Sequence, residues 1–118
     1  MDDSRPIFLQ IADHIENDIL SGALPANAQV PSTNEYAAFY RINPATAGKG
    51  VNVLVDTGIL YKKRGIGMFV TEGARDAILA ERRKTFPSEY IRPLLNEASN
   101  LGISAEQLAT MIMKEGKR

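Results

Sequence analysis

Apolar residues recur at a stride of four near the start of the chain, at Ile7, Ile11, Ile15 and Ile19, and Phe8 and Ala12 widen the stripe. That period marks an amphipathic helix from Pro6 to Leu20. Pro6 suits its first turn and Gly22 its C-terminal cap. Residues 23–31 carry two prolines and no helical period, so they read as a connection, with a short strand near Gln29 and Val30. Ser32-Thr33-Asn34-Glu35 has the form of a capping box, in which the serine hydroxyl and the glutamate carboxylate each satisfy a backbone amide of the other residue. A second helix therefore starts there, and Tyr36, Phe39 and Tyr40 read as its core side. It stops near Tyr40, because Pro44 disfavours helical geometry at Asn43 while fitting the first turn of a new helix that Asn43 can cap.

The third helix is expected from Pro44 to about Thr57, ending at Gly58. Ala47, Val51, Leu54 and Val55 form its buried face, and Ala45, Lys49, Asn52 and Asp56 lie opposite, with Thr46 at the flank. Gly48 and Gly50 each cost that helix about 1 kcal/mol relative to Ala, so packing must hold it. Next, Ile59-Leu60-Tyr61-Lys62-Lys63 and Met68-Phe69-Val70-Thr71 flank Arg64-Gly65-Ile66-Gly67, a β-hairpin with a basic, glycine-containing tip. The predicted fold class is mainly α with a small β-hairpin. Three helices followed by a hairpin, with a short turn between the second and third, is the order of a winged helix-turn-helix. That domain is expected to span residues 1–71 and a helical tail residues 72–118. The tail pattern predicts helices from Ala74 to about Thr85, Glu89 to Asn100 and Ala105 to about Lys114, the last behind a second capping box, Ser104-Ala105-Glu106-Gln107. Pro93 removes a donor and clashes with the Glu89 carbonyl, so the middle helix starts near Tyr90 or kinks.

Composition narrows the function. The 118 residues contain no cysteine, which excludes disulfide frameworks, thiolate nucleophiles and cysteine-based zinc sites, and points to a cytoplasmic location. The start, Met1 to Pro6, is acidic, and no stretch approaches the roughly 18 apolar residues of a membrane span, so neither export nor a membrane is expected. His14, with Asp13 and Glu16 nearby, is too isolated to argue for a metal site. With one histidine, no phosphate-binding glycine loop and no arguable carboxylate pair, no catalytic residues, metal or cofactor are expected, and an enzyme is set aside. The formal net charge is zero, which argues against non-specific coating of nucleic acid. Up to Thr71, six basic residues face seven acidic ones, so DNA binding must use local charge, above all Lys62-Lys63-Arg64. Arg64 suits the narrow minor groove, and Gly65 lacks the Cβ that would block entry. Lys62 and Lys63 alternate across the strand, so one of them, assigned as Lys63, faces phosphates.

Four blocks in order, Pro6-Ile7-Phe8-Leu9-Gln10-Ile11-Ala12, Val30-Pro31-Ser32-Thr33-Asn34-Glu35-Tyr36-Ala37, Ile42-Asn43-Pro44-Ala45-Thr46 and Arg64-Gly65-Ile66-Gly67-Met68-Phe69-Val70, resemble the GntR family of bacterial regulators. Glu81-Arg82-Arg83 and Tyr90-Ile91-Arg92-Pro93-Leu94-Leu95 resemble the tail of its YtrA subfamily. The resemblance implies a homodimeric repressor on a palindromic double-stranded operator, with the third helix in the major groove and the wing at the minor groove. It also implies a link to transport operons near the regulator's own gene; a small-molecule effector is left open. The DNA-binding residues assigned on this basis are Ser32, Asn34, Asn43, Ala45, Thr46, Lys49, Lys63, Arg64 and Gly65. The family often carries arginine where this chain has Asn34 and Gly48, and losing an arginine paired to guanine removes about 1–3 kcal/mol of base discrimination. That keeps a second reading open, a winged helix that docks to protein with weakened or lost DNA binding. The apolar tail needs a partner surface, so Ile78, Phe86, Tyr90, Leu94, Leu95, Leu108, Met111 and Ile112 are assigned to dimerisation.

Overall fold

The computed structural model describes residues 5–117; the acidic start up to Ser4, and Arg118, lie outside the described residues. The elements are α1 (Ile7–Ser21), α2 (Thr33–Tyr40), α3 (Pro44–Asp56), β1 (Leu60–Lys63), β2 (Gly67–Val70), α4 (Ala74–Phe86), α5 (Arg92–Asn100) and α6 (Ala105–Glu115), with a π-helical turn, Pro87–Ile91, between α4 and α5. This is the mainly helical winged helix-turn-helix that the pattern predicts.

The chain divides into two compact units, Met1–Ala80 and Glu81–Arg118. In the first, the isoleucine stripe of α1 is buried, and Ile11 and Ile15 are fully enclosed. They share a core with Tyr36 and Ala37 of α2, Ala47, Val51 and Leu54 of α3, and Leu60 and Val70 of the hairpin. Val55, expected at the buried face of α3, packs at the edge of this core and is partly buried. Antiparallel pairing runs from Leu60↔Val70 to Lys63↔Gly67. The connection before α2 docks on the hairpin through Asn27 N–H to the Val70 carbonyl at 2.7 Å and Val30 N–H to the Met68 carbonyl at 2.9 Å. The strand expected at Gln29 is thus a single bridge to Phe69.

The first unit extends beyond Thr71, where the sequence pattern ends it, because Ala74 and Ile78 on the first turns of α4 bury in its core. Phe39 corrects the reading of α2 as having three aromatic core residues, since it is 72% exposed. Tyr36, Ala37 and Tyr40 set the inward side of that short helix, and Phe39 falls off its edge, where its ring meets the His14 ring edge-on. His14 is less isolated than its sequence neighbours suggest. Its Nδ1 lies 2.5 Å from the Tyr40 hydroxyl, and its Nε2 lies 3.4 Å from the Asp18 carboxylate one helical turn on. Among the described residues no cluster of three or more His, Asp or Glu groups is placed to hold a metal ion.

In the second unit the expected break before Glu89 is absent. Helical backbone runs through Pro87–Ile91, where the Arg92 N–H reaches the Pro87 carbonyl five residues back. Pro87 and Pro93 have no amide donor, so the four-residue ladder fails on both sides, and one wider turn absorbs the loss. The second capping box forms as predicted: the Gln107 N–H donates to the Ser104 hydroxyl at 3.1 Å and the Ser104 N–H to the Gln107 side-chain oxygen at 2.9 Å. Ala98 and Leu108 are the buried apolar residues of this unit, whereas Phe86, Tyr90, Leu94, Leu95, Leu101 and Met111 are exposed. No helix among the described residues is long and apolar enough to cross a membrane.

The glycines of α3 differ in kind. A Cβ at Gly50 would lie 2.5 Å from the Phe8 carbonyl oxygen and 3.2 Å from the Ile11 Cβ, whereas one at Gly48 would meet only the Thr33 methyl at 3.5 Å. Gly50→Ala should therefore destabilise the protein by about 1–3 kcal/mol as α1 and α3 are forced apart. Gly48→Ala should stabilise it by up to about 1 kcal/mol through helix propensity. Urea denaturation of both variants checks the contrast, and equal stability of the two would contradict it.

Candidate nucleic-acid interface

The turn between α2 and α3 closes with Arg41 in the left-handed region at φ 56°, its N–H bonded to the Ala37 and Ala38 carbonyls. Asn43 then caps α3, its side-chain oxygen accepting from the Ala45 N–H at 2.8 Å. Capping uses only the amide oxygen. The two N–H donors of Asn43 therefore remain for a phosphate or a base edge, and capping and contact do not exclude each other. Ser32 has the same economy. Its hydroxyl oxygen accepts from the Glu35 N–H at 3.1 Å, which leaves its own proton to donate. The Glu35 carboxylate returns to the Ser32 N–H at 3.1 Å, which fixes the start of α2 and the exposed Asn34 on its first turn.

Along α3, Ala45, Lys49 and Asn52 are exposed and Thr46 is half-buried, as the helical wheel requires. The ammonium of Lys49 lies 4.2 Å from the centre of the Phe8 ring on α1. This cation–π contact was not anticipated from the sequence. The signal was present in part, because the closeness demanded by Gly50 brings Phe8 and the neighbouring Lys49 to the same helix crossing.

The hairpin tip is closed by the Ile66 N–H on the Lys63 carbonyl at 2.9 Å, and Gly65 has φ +78°, which a side chain at that position would oppose. Arg64, Gly65 and Ile66 are exposed, and no group among the described residues engages the Arg64 guanidinium. Lys63 has its ammonium 4.4 Å from the centre of the Phe69 ring, on the strand face that also carries Tyr61, and Lys62 alternates to the other face beside Met68. Tyr61 stacks on Phe69 and donates to the Asn27 side-chain oxygen at 2.9 Å. Gln29, which no sequence motif singles out, sends its amide N–H to the Ile66 carbonyl at 3.1 Å. Behind α2, burial pushes the Tyr36 phenol well above its ordinary value, with the Asp18 carboxylate adding to the effect. Tyr40 is raised in the same direction by the same causes.

The residues assigned to pairing divide. Ile78 is 2% exposed inside the first unit's core, and Leu108 is 8% exposed on the inner face of α6, so neither offers surface to a second chain. Phe86, Tyr90, Leu94, Leu95, Met111 and Ile112 are all exposed. Phe86 and Tyr90 stack on each other across the π-helical turn, with ring centres 5.4 Å apart.

Comparison with known proteins agrees with this geometry. The model of the bacterial regulatory proteins of the gntR family matches residues 8–70. The HTH-type transcriptional repressor YtrA of Bacillus subtilis is 30% identical over 105 residues, covering 89% of this chain and 80% of that protein. The crystal structure of a putative GntR-family regulator from Bacteroides thetaiotaomicron is 35% identical and superposes with a TM-score of 0.74, covering 95% of this chain and 97% of that one. The DNA-binding domain of AraR, solved in complex with operator ORX1, is 26% identical with a TM-score of 0.55, over 60% of this chain and 87% of that one. With its helix-turn-helix, wing and tail all matched, the chain belongs to the GntR family of DNA-binding transcriptional regulators.

Proposed function

We propose that the chain is a homodimeric repressor that reads a palindromic operator, with α3 in the major groove and the hairpin tip in the minor groove of each half-site. The observation that carries this reading is the tip itself. Arg64 stands exposed, without a partner among the described residues, on a turn whose next residue has no side chain. A guanidinium so presented suits the concentrated negative potential of a narrow minor groove. Asn43, Thr46 and Lys49 serve the major-groove side, and Ser32, Asn34, Ala45 and Lys63 line the phosphates beside them. AraR, whose domain shares this fold, is bound to its operator in the related structure, which supports the assignment. YtrA is a repressor by name, which supports the direction of control.

Pairing rests on the second unit. A stripe with Phe86, Tyr90, Leu94 and Leu95 exposed, over a unit that buries little besides Ala98 and Leu108, is best covered by a second copy of the same stripe. A dimer built this way binds half-sites about one helical turn apart, roughly 34 Å. A transport operon beside the chain's own gene is the first target to examine.

On a duplex from the region upstream of that gene, Arg64→Ala should weaken binding by about 1–3 kcal/mol and relax the preference for A·T pairs under the wing. Lys49→Ala should weaken binding evenly across sequences and lower the salt dependence by about one phosphate contact per half-site. Titrations at several salt concentrations check both. Equal affinity for random duplex, or indifference to both substitutions, would reject the DNA reading and favour a protein-docking winged helix. Replacing Leu94 and Leu95 together by Glu should convert a dimer to a monomer in sedimentation equilibrium and cost more than about tenfold in affinity for a two-half-site duplex, while affinity for an isolated half-site stays unchanged.

A further inference from the structure

We infer that Gln29 is a positioning residue for the wing tip, acting through Arg64 and resting on the DNA-binding reading above. Gln29 lies on the connection before α2, far from the tip in sequence, yet its amide nitrogen is 3.1 Å from the carbonyl oxygen of Ile66. A carbonyl only accepts, so the Gln29 side chain must present its NH₂ group there, which fixes the orientation of the amide. The backbone around it leaves little slack. Gln29 bridges Phe69, and the Val30 N–H is bound to the Met68 carbonyl on the next residue of β2. The Cα of Gln29 is thus pinned to the strand, and its side chain reaches along the hairpin to the tip.

Gly67 makes the path possible. A Cβ at that position would lie 2.7 Å from the Gln29 amide nitrogen, and the backbone there has φ +149°, which side-chain-bearing residues seldom adopt. The tip is therefore tied twice, once by its own Ile66 N–H on the Lys63 carbonyl and once from outside the hairpin by Gln29 on the Ile66 carbonyl. Arg64 and Gly65 lie inside this doubly held loop. A two-stranded hairpin by itself is only marginally ordered. An arginine entering a groove about 6 Å wide gains from a backbone whose direction is set before contact. Gln29 supplies that constraint without touching DNA.

The test uses the full chain and Gln29→Met, which keeps the length of the side chain, adds no charge and removes the donor. Amide hydrogen exchange in the free protein should show the Ile66 N–H exchanging several-fold faster in Gln29→Met, while Tm moves by less than about 2 °C. Affinity for the upstream duplex should fall about three- to tenfold, the range of one neutral hydrogen bond. In an Arg64→Ala background the same substitution should cost nothing further, because the constraint acts through that side chain. Unchanged Ile66 exchange, or an equal loss of affinity with and without Arg64, overturns the positioning role. Wild-type, Arg64→Ala and Lys49→Ala proteins all binding the duplex alike would instead sink the DNA reading, and the Ile66 exchange then decides by itself whether Gln29 holds the tip.

Discussion

The missing side chain at Gly50 sets how closely α1 and α3 approach, and the rest of the first unit follows from that approach. The Phe8 carbonyl occupies the space a Cβ would take, so the two helices meet backbone to backbone there and Ile11 is sealed between them. α2 packs on α3, and the hairpin leaves α3 through a tight exit in which the Ile59 N–H bonds the Leu54 carbonyl at 2.9 Å and the Thr71 N–H bonds the Ile59 carbonyl at 3.0 Å. The helix that carries Asn43, Thr46 and Lys49 and the hairpin that carries Arg64 thus inherit their placement from one helix crossing. A glycine that weakens the helix locally is what the packing requires at this crossing, a local propensity overridden by tertiary contact.

Much of this was legible in the chain because short-range chemistry wrote it. Ser32 with Glu35, Ser104 with Gln107 and Asn43 before Pro44 each satisfy orphan amides within three or four residues, and a pattern of that range survives without knowledge of the fold. The hairpin is legible for the same reason, through its glycines and β-favouring flanks. What the sequence concealed depends on who meets whom. Phe39 has the composition of a core residue but sits just outside an arc defined by α1 and α3. Ile78 follows Thr71 and reads from the sequence as part of the tail, yet the core of the first unit encloses it. The π-helical turn reconciles Pro87 and Pro93 by a geometry that single-residue preferences do not suggest. At the candidate site, Arg64 and Asn43 were visible as types, whereas the contacts of Lys49 with Phe8, Lys63 with Phe69 and Gln29 with Ile66 cross between segments and needed the fold.

The two units solve different problems. Residues up to Ala80 bury an apolar interior contributed by every element, with a few polar clasps such as Tyr61 on Asn27 at the edge. Residues from Glu81 onward spend their regularity on helix ends and leave their long apolar side chains facing outward. Zero net charge suits such a division. On the proposed DNA-binding reading, a chain without a general attraction to polyanions relies on a few local cations, so its selectivity depends on geometry more than on field strength.

The seat of Lys49 on Phe8 has a consequence for the entropy of recognition. A free lysine explores many rotamers and gives up about 2 kcal/mol of that freedom when it is fixed against an anion. Over the Phe8 ring, 4.2 Å from its centre, part of that freedom is already surrendered during folding, and the aromatic face holds the ammonium without neutralising it. On the proposed DNA-binding reading, a phosphate arriving at α3 meets a side chain with fewer alternatives to abandon, so Phe8 of the first helix contributes to the affinity of that surface.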